Sequence, residues 1–166
     1  YYSGASAPDV NVGDLLLVHG TVAEYGGVTE IAMSADNTTI LQSGVTIDPT
    51  LIQTADLSDA AAGEPYESVL IQFSCAVVTE LPDQYGDWGV TDASGEQATV
   101  GDWATCAYTP TLGDNLGLIG VGNYYNEYKL EPRSDADIIV SLGVTAHGPE
   151  NGDVPLGSDV WATFNM

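Results

Sequence analysis

Leu112-Gly113-Asp114-Asn115-Leu116-Gly117-Leu118-Ile119-Gly120-Val121-Gly122-Asn123-Tyr124-Tyr125-Asn126-Glu127-Tyr128-Lys129-Leu130-Glu131-Pro132 is the stretch that decides how this chain is read. Apolar residues flank a stripe of small ones, two tyrosines follow, Asn126 supplies turn chemistry, and Pro132, which cannot donate to a ladder, ends a second short strand. This is the pattern of a β-hairpin. Val12 to Ile31 opens the chain with the same wording: Gly13, Asp14, Gly20 and Tyr25 stand opposite Gly113, Asp114, Gly120 and Tyr125, 100 residues apart each time. The repeat predicts two copies of one β unit, the first lacking its beginning.

Working outward, Val69 to Leu81 is a long apolar strand, long enough to bend and serve two edges of a small barrel. Pro82 to Gly86 reads as a turn, Asp87 to Asp92 as a second strand, Ala93-Ser94-Gly95 as a hairpin turn, and Glu96 to Tyr108 as a third strand. With the two strands of the hairpin that makes five, the number of an OB-like barrel. Ahead of it, Asp14 to Tyr25, Val28 to Ala35 and Ile40 to Val45 read as strands joined at Gly26-Gly27 and at Asp36 to Thr39. Thr46 to Leu57 is a connector, and Asp56 to Ala62 is the one short helix, with Thr54 or Asp56 as its cap and Gly63 at its end. Val140 to Val144 and Asp159 to Phe164 continue the strand pattern beyond. The expected fold is all-β: a five-stranded OB-like barrel at 54–140, preceded by an N-terminal arm at 1–11 and a partial β module at 12–53, and followed by a C-terminal β extension at 141–166.

Twenty-four acidic residues face two cations, Lys129 and Arg133, for a net charge of −22. Neutralising even a few phosphates takes several Lys or Arg side chains, so this chain alone is not expected to bind nucleic acid. Hydrophobic residues make up 44% of the chain, too many for a disordered acidic tail. No apolar run approaches 18 residues and no initiator Met or leader pattern is present, which predicts a soluble, processed product without a membrane span.

Chemistry-bearing residues are sparse. His19 lies in an apolar strand and His147 in a loop, and no nucleophile or paired-carboxylate signature accompanies either, so no catalytic residue is expected and the chain is read as a non-enzyme. Asp83, Asp87, Asp92 and Glu96 bracket one hairpin and offer the hard oxygen ligands that suit Ca²⁺, although the calcium-loop repeat is absent. Trp88, Trp103, Tyr124, Tyr125 and Tyr128 are expected to pack in the core and at its rim, with stacking on a sugar as the alternative. Asn37-Thr38-Thr39 is an acceptor sequence for N-linked glycan. The leading Tyr1, Tyr2 and Val10 suit an arm that docks on a neighbouring chain. Cys75 and Cys106, each within an expected strand, leave a disulfide and two buried thiols open on counting alone.

Three stretches together resemble the OB-like modules of secreted bacterial nucleases and related cell-surface proteins: Glu64-Pro65-Tyr66-Glu67-Ser68-Val69-Leu70-Ile71, Tyr85-Gly86-Asp87-Trp88-Gly89-Val90-Thr91-Asp92-Ala93-Ser94-Gly95, and Tyr128-Lys129-Leu130-Glu131-Pro132-Arg133-Ser134-Asp135-Ala136-Asp137-Ile138. Val12 to Ile31 resembles the closing half of a preceding module. The resemblance covers about residues 12 to 140 and implies an extracellular setting, which favours the Cys75–Cys106 disulfide. The phosphoesterase domain that carries the chemistry in such proteins is missing from this chain. A half module exposes backbone donors and apolar surface, so it is expected to borrow strands. The reading that follows is a non-catalytic structural subunit of a fibre or surface appendage, a polymer of itself joined by strand or arm exchange. The alternative is an accessory module that positions a ligand or a domain in a larger secreted hydrolase.

Overall fold

The computed structural model describes residues 9–33 and 37–140. In chain order the strands are β1 (Leu15–Val18), β2 (Thr21–Tyr25), β3 (Val28–Ala32), β4 (Thr38–Gln42), β5 (Thr50–Leu51), β6 (Leu70–Glu80), β7 (Trp88–Thr91), β8 (Gln97–Val100), β9 (Asn115–Tyr125), β10 (Glu127–Glu131) and β11 (Ile138–Val140). One short helix, α1 (Ala60–Gly63), lies between β5 and β6 and is flanked by single 3-10 turns at Thr54–Leu57 and Glu64–Tyr66.

Five of these strands close a barrel in the order β6-β7-β8-β10-β9 and back to β6. Every neighbouring pair is antiparallel except β8 and β10, which run parallel. The expected all-β, OB-like barrel is therefore the observed fold. β6 serves two edges as its length predicted: its first half pairs with β9 and its second half with β7, with ladder irregularities between Phe73 and Ala76 and between Val78 and Glu80. Bulges of this kind let a strand bend enough to close a small barrel. The hairpin of β9 and β10 turns on Asn126 alone, at φ +64°, a left-handed conformation that Asn tolerates better than most residues.

The core follows the period of two. Ile71, Phe73, Ala76 and Val78 of β6 point inward against Val90, Val100, Leu116, Leu118 and Leu130, all essentially inaccessible. Each fully buried Leu, Ile or Phe stabilises by about 1.5–3 kcal/mol. Ile52 and Leu57, from the segment ahead of the barrel, belong to the same core.

The N-terminal unit is a two-stranded ribbon, β1–β2 running against β3–β4. Its repeat relation to the barrel extends to the pairing. Leu16, Leu17 and Val18 of β1 face Ile40, Thr39 and Thr38, while Leu116, Gly117 and Leu118 of β9 face Val140, Ile139 and Ile138, so both partners are displaced by 100. The entry turns match too: Gly13 and Gly113 take φ +92° and +89°, and the Asp14 and Asp114 carboxylates accept the backbone N–H of Asn11 and Thr111. The ribbon thus repeats β9, β10 and β11, and among the described residues it has no counterpart of β6, β7 or β8. In the barrel those strands cover both edges of the β9–β10 hairpin. In the ribbon no described residue covers the same edges.

Three expectations are corrected. The third strand ends at Val100 rather than Tyr108: Gly101 makes one last bond to the Leu130 carbonyl, and the chain then turns at Asp102 to Thr105, where the Thr105 N–H donates to the Asp102 carbonyl at 3.3 Å. Cys106 consequently lies in a loop, Cys75 sits exposed at the β6 irregularity, and both are free thiols in place of the expected disulfide. The helix is capped by Asp59, whose Oδ1 accepts the N–H groups of Ala61 and Ala62, and not by Thr54 or Asp56. Tyr1, Tyr2, His147 and the extension at 141–166 lie outside the described residues.

Candidate functional site

Two regions of the surface are built in a way that packing alone does not require. The first is a cleft of about 420 Å³ between the β6–β7 loop, the turn after β8 and the β9–β10 turn. Its floor is β10. Because Tyr128 and Leu130 point into the core, Lys129 and Glu131 face the other way, beneath the two loops. Lys129, with a side chain only 8% exposed, forms an ion pair with Asp87 of the β6–β7 loop, and its ammonium lies 5.8 Å from the centre of the Tyr125 ring. Glu131 is buried beside it and accepts the Trp103 N–H at 3.3 Å. Burial, helped by the Asp87 charge, pushes the Glu131 carboxyl above its ordinary range. The amide of Asn123 lies close to Glu131, yet among the described residues its buried Nδ2 has no partner in hydrogen-bonding geometry.

Around this floor stand Tyr85, Trp103 and Tyr125, exposed at 76%, 74% and 65%. Asp83, Asp102 and Glu127 complete the wall, so five carboxylates surround one ammonium. Such a cleft repels a polyanion, and its aromatic faces and acceptors suit a neutral polyhydroxylated ligand or an organic cation. Of the five aromatic residues singled out in the sequence, Trp103 and Tyr125 line this cleft. Trp88 packs on Tyr108 at 6.0 Å and Tyr124 on Tyr128 at 5.0 Å, within or against the core.

The four hairpin acids are not brought together. Asp83 accepts the N–H groups of Tyr85 and Asp87 and so shapes its own turn, and Asp87 is engaged by Lys129. Asp92, at the far end of the hairpin, accepts from Thr54 and Ser94, and the carbonyl of Glu96 accepts the Thr54 hydroxyl at 2.6 Å. Burial acts to raise the Asp92 carboxyl, but those hydrogen bonds outweigh it and hold the group below its usual value. Among the described residues no three His, Cys, Asp or Glu side chains converge as a metal ion would need. His19 sits in the break between β1 and β2, where its backbone N–H donates to the Asn37 carbonyl at 3.0 Å. Asn37 itself is exposed, as a glycan acceptor must be.

The second region is the ribbon. Leu15, Leu17, Val22, Tyr25, Ile31, Ile40 and Leu41 are all exposed, and Val22 and Ile31 form a solvent-facing cross-strand pair. At the two core positions that repeat, Leu116 and Leu118 are fully buried in the barrel while Leu16 and Val18 are only half-buried in the ribbon. The ribbon touches the barrel at its tip. Gly27, at φ +87°, leaves no room for a Cβ against the Tyr124 ring, and the Thr29 N–H donates to Glu67 at 3.1 Å. Of Tyr1, Tyr2 and Val10 in the expected docking arm, Val10 is among the described residues, and it is exposed.

Searches against protein-family models, curated proteins and solved structures found no match to this chain. No described helix is long and apolar enough to cross a membrane.

Proposed function

We propose that this chain is a non-catalytic structural subunit of an extracellular assembly, a fibre or surface appendage in which copies join by exchanging strands or arms. The observation that carries the reading is the ribbon, a unit whose register repeats that of β9 and β11 but whose edges have no covering strand among the described residues. An isolated two-stranded ribbon is marginal in water, and exposed edges with apolar faces are a template for another chain. A head-to-tail contact of this kind propagates without closing. The scarcity of Lys and Arg and the accessible Asn37 acceptor support an extracellular setting. The expected Ca²⁺, with the hairpin acids dispersed within one chain, belongs on this reading to contacts between copies.

Electron microscopy and light scattering of the purified chain, with and without a calcium chelator, test this. Long regular particles are expected. A monomer at all salt and protein concentrations refutes the reading.

The aromatic cleft favours a second reading, an accessory ligand-positioning module of a larger secreted hydrolase. It predicts a discrete monomer that binds a soluble oligosaccharide or organic cation, with binding lost in Trp103→Ala.

A further inference from the structure

The missing first strand of the ribbon's module has a match at the other end of the chain. Val160-Trp161-Ala162-Thr163-Phe164-Asn165 follows the pattern of Val69-Leu70-Ile71-Gln72-Phe73-Ser74, with Val and Phe at the same spacing and a polar residue after the Phe. The second of these stretches is the opening of β6. Its Ile71 and Phe73 are fully buried and stand opposite Gly120 and Leu118 of β9. Shifted by 100 residues, those two acceptor positions are Gly20 and Val18, on the free edge of β1–β2.

Direction favours a neighbouring copy as the supplier of the strand. The ribbon tip rests on Tyr124, near the end of β9. β11 lies antiparallel along the start of the same strand, so that Val140 faces Leu116 and the chain leaves the barrel heading away from the ribbon. The two places are eight residues of β9 apart, about 26 Å. Each copy therefore carries its acceptor near one end of β9 and its last described residue, Val140, at the other, with 26 residues of sequence still to follow. The stretch from Ser158 to Met166 also holds a single charged residue, Asp159, which keeps repulsion low on an otherwise acidic surface.

We infer that residues 159–165 of one copy add to the free β1–β2 edge of the next, taking the place that β6 takes on β9, with Ala162 opposite Gly20 and Phe164 opposite Val18. This names the contact of the subunit reading and rests on it. The main-chain ladder supplies the pairing, and the alternate side chains fix the register by entering the half-open space over Leu16 and Val18.

Two full-length variants test it. Trp161→Asp with Phe164→Asp removes the donor, and Leu16→Glu with Val18→Glu removes the acceptor. The barrel of each is verified by the near-ultraviolet signal of the buried Trp88. Each variant alone should raise the concentration needed for polymerisation on the order of 100-fold or more, since hot-spot residues dominate such contacts. A 1:1 mixture should give a capped heterodimer and nothing longer, because only one of its two seams can form. Variants that polymerise like the parent overturn the inference while leaving the subunit reading intact. So does a mixture that stays monomeric, the outcome expected if each segment folds back on its own ribbon. A parent chain that never polymerises overturns both.

Discussion

Lys129→Met removes the one cation in the cleft and leaves its shape nearly filled. In the parent, the ammonium is covered by the Tyr125 ring and neutralises Asp87 next to a buried Glu131. Breaking a fully buried pair by removing one partner costs about 3–5 kcal/mol. The Asp87 side chain is 22% exposed and recovers some hydration, so the expected loss is about 3 kcal/mol, or a fall in Tm of about 10 °C for a domain of this size. The loss should depend on pH in a stated sense. The Glu131 carboxyl already lies above its ordinary value because of burial and Asp87, and without the ammonium it rises further. A carboxyl raised in the folded state contributes stability that is present below its unfolded value and lost as pH rises through the folded one. The variant should therefore be weakest near pH 7 and recover toward pH 5, and adding Asp87→Asn should recover part of the deficit at pH 7. Thermal unfolding followed by tryptophan fluorescence at the two pH values measures both effects. A loss under about 1 kcal/mol that does not change with pH would refute the account of the cleft as a charged, poorly hydrated site.

Thr54 is fully buried and its hydroxyl accepts the Asp92 N–H while donating to the Glu96 carbonyl, so Thr54→Val should lower stability by about 1–3 kcal/mol in urea unfolding. Asp137, held down by its hydrogen bonds with Arg133, and Asp92, held down by Ser94 and Thr54, both sit below the usual carboxylate range. The stability they contribute is present above the unfolded value near pH 4 and should be lost as pH falls below it, which acid titration of the circular dichroism signal will follow. Gly27→Ala combines a positive φ with a clash on the Tyr124 ring; it should free the ribbon from the barrel, seen as faster hydrogen exchange in 21–32 with the barrel unchanged. Polymer growth, if it occurs, should speed up between 10 and 500 mM salt, since copies with a net charge of −22 repel one another until screened.

The barrel was legible because its signals are local. Gly113-Asp114 sets the entry to β9, Asn126 the turn and Pro132 the end of β10, and each acts within a few residues. The 100-residue repeat was legible for the same reason, and it extends to the pairing of β1 with β4 and of β9 with β11. What failed was decided at a distance. The third strand reads through to Tyr108 because its side chains alternate well, but the chain turns at Asp102 to Thr105, where the Trp103 N–H meets the carboxylate of Glu131 from a strand far along the sequence. The cleft was missed for a like reason. Lys129 finds Asp87 42 residues earlier, and Trp103 joins Tyr85 and Tyr125 only once the loops are folded over β10. Listing the two cations and asking which acids they must meet would have pointed toward it, since a chain with so few cannot leave one buried without a partner.

The attachment of the ribbon has a mechanical side. Apart from the covalent link through residues 43–49, the described contacts between ribbon and barrel gather at the tip, around Tyr124 and Glu67. Tension drawn along the ribbon would load the ladder between β2 and β3 lengthwise, where its hydrogen bonds, lying across the strands, resist together rather than parting one by one. Bending would concentrate at the tip, leaving barrel and ribbon as two stiff bodies with one compliant joint between them.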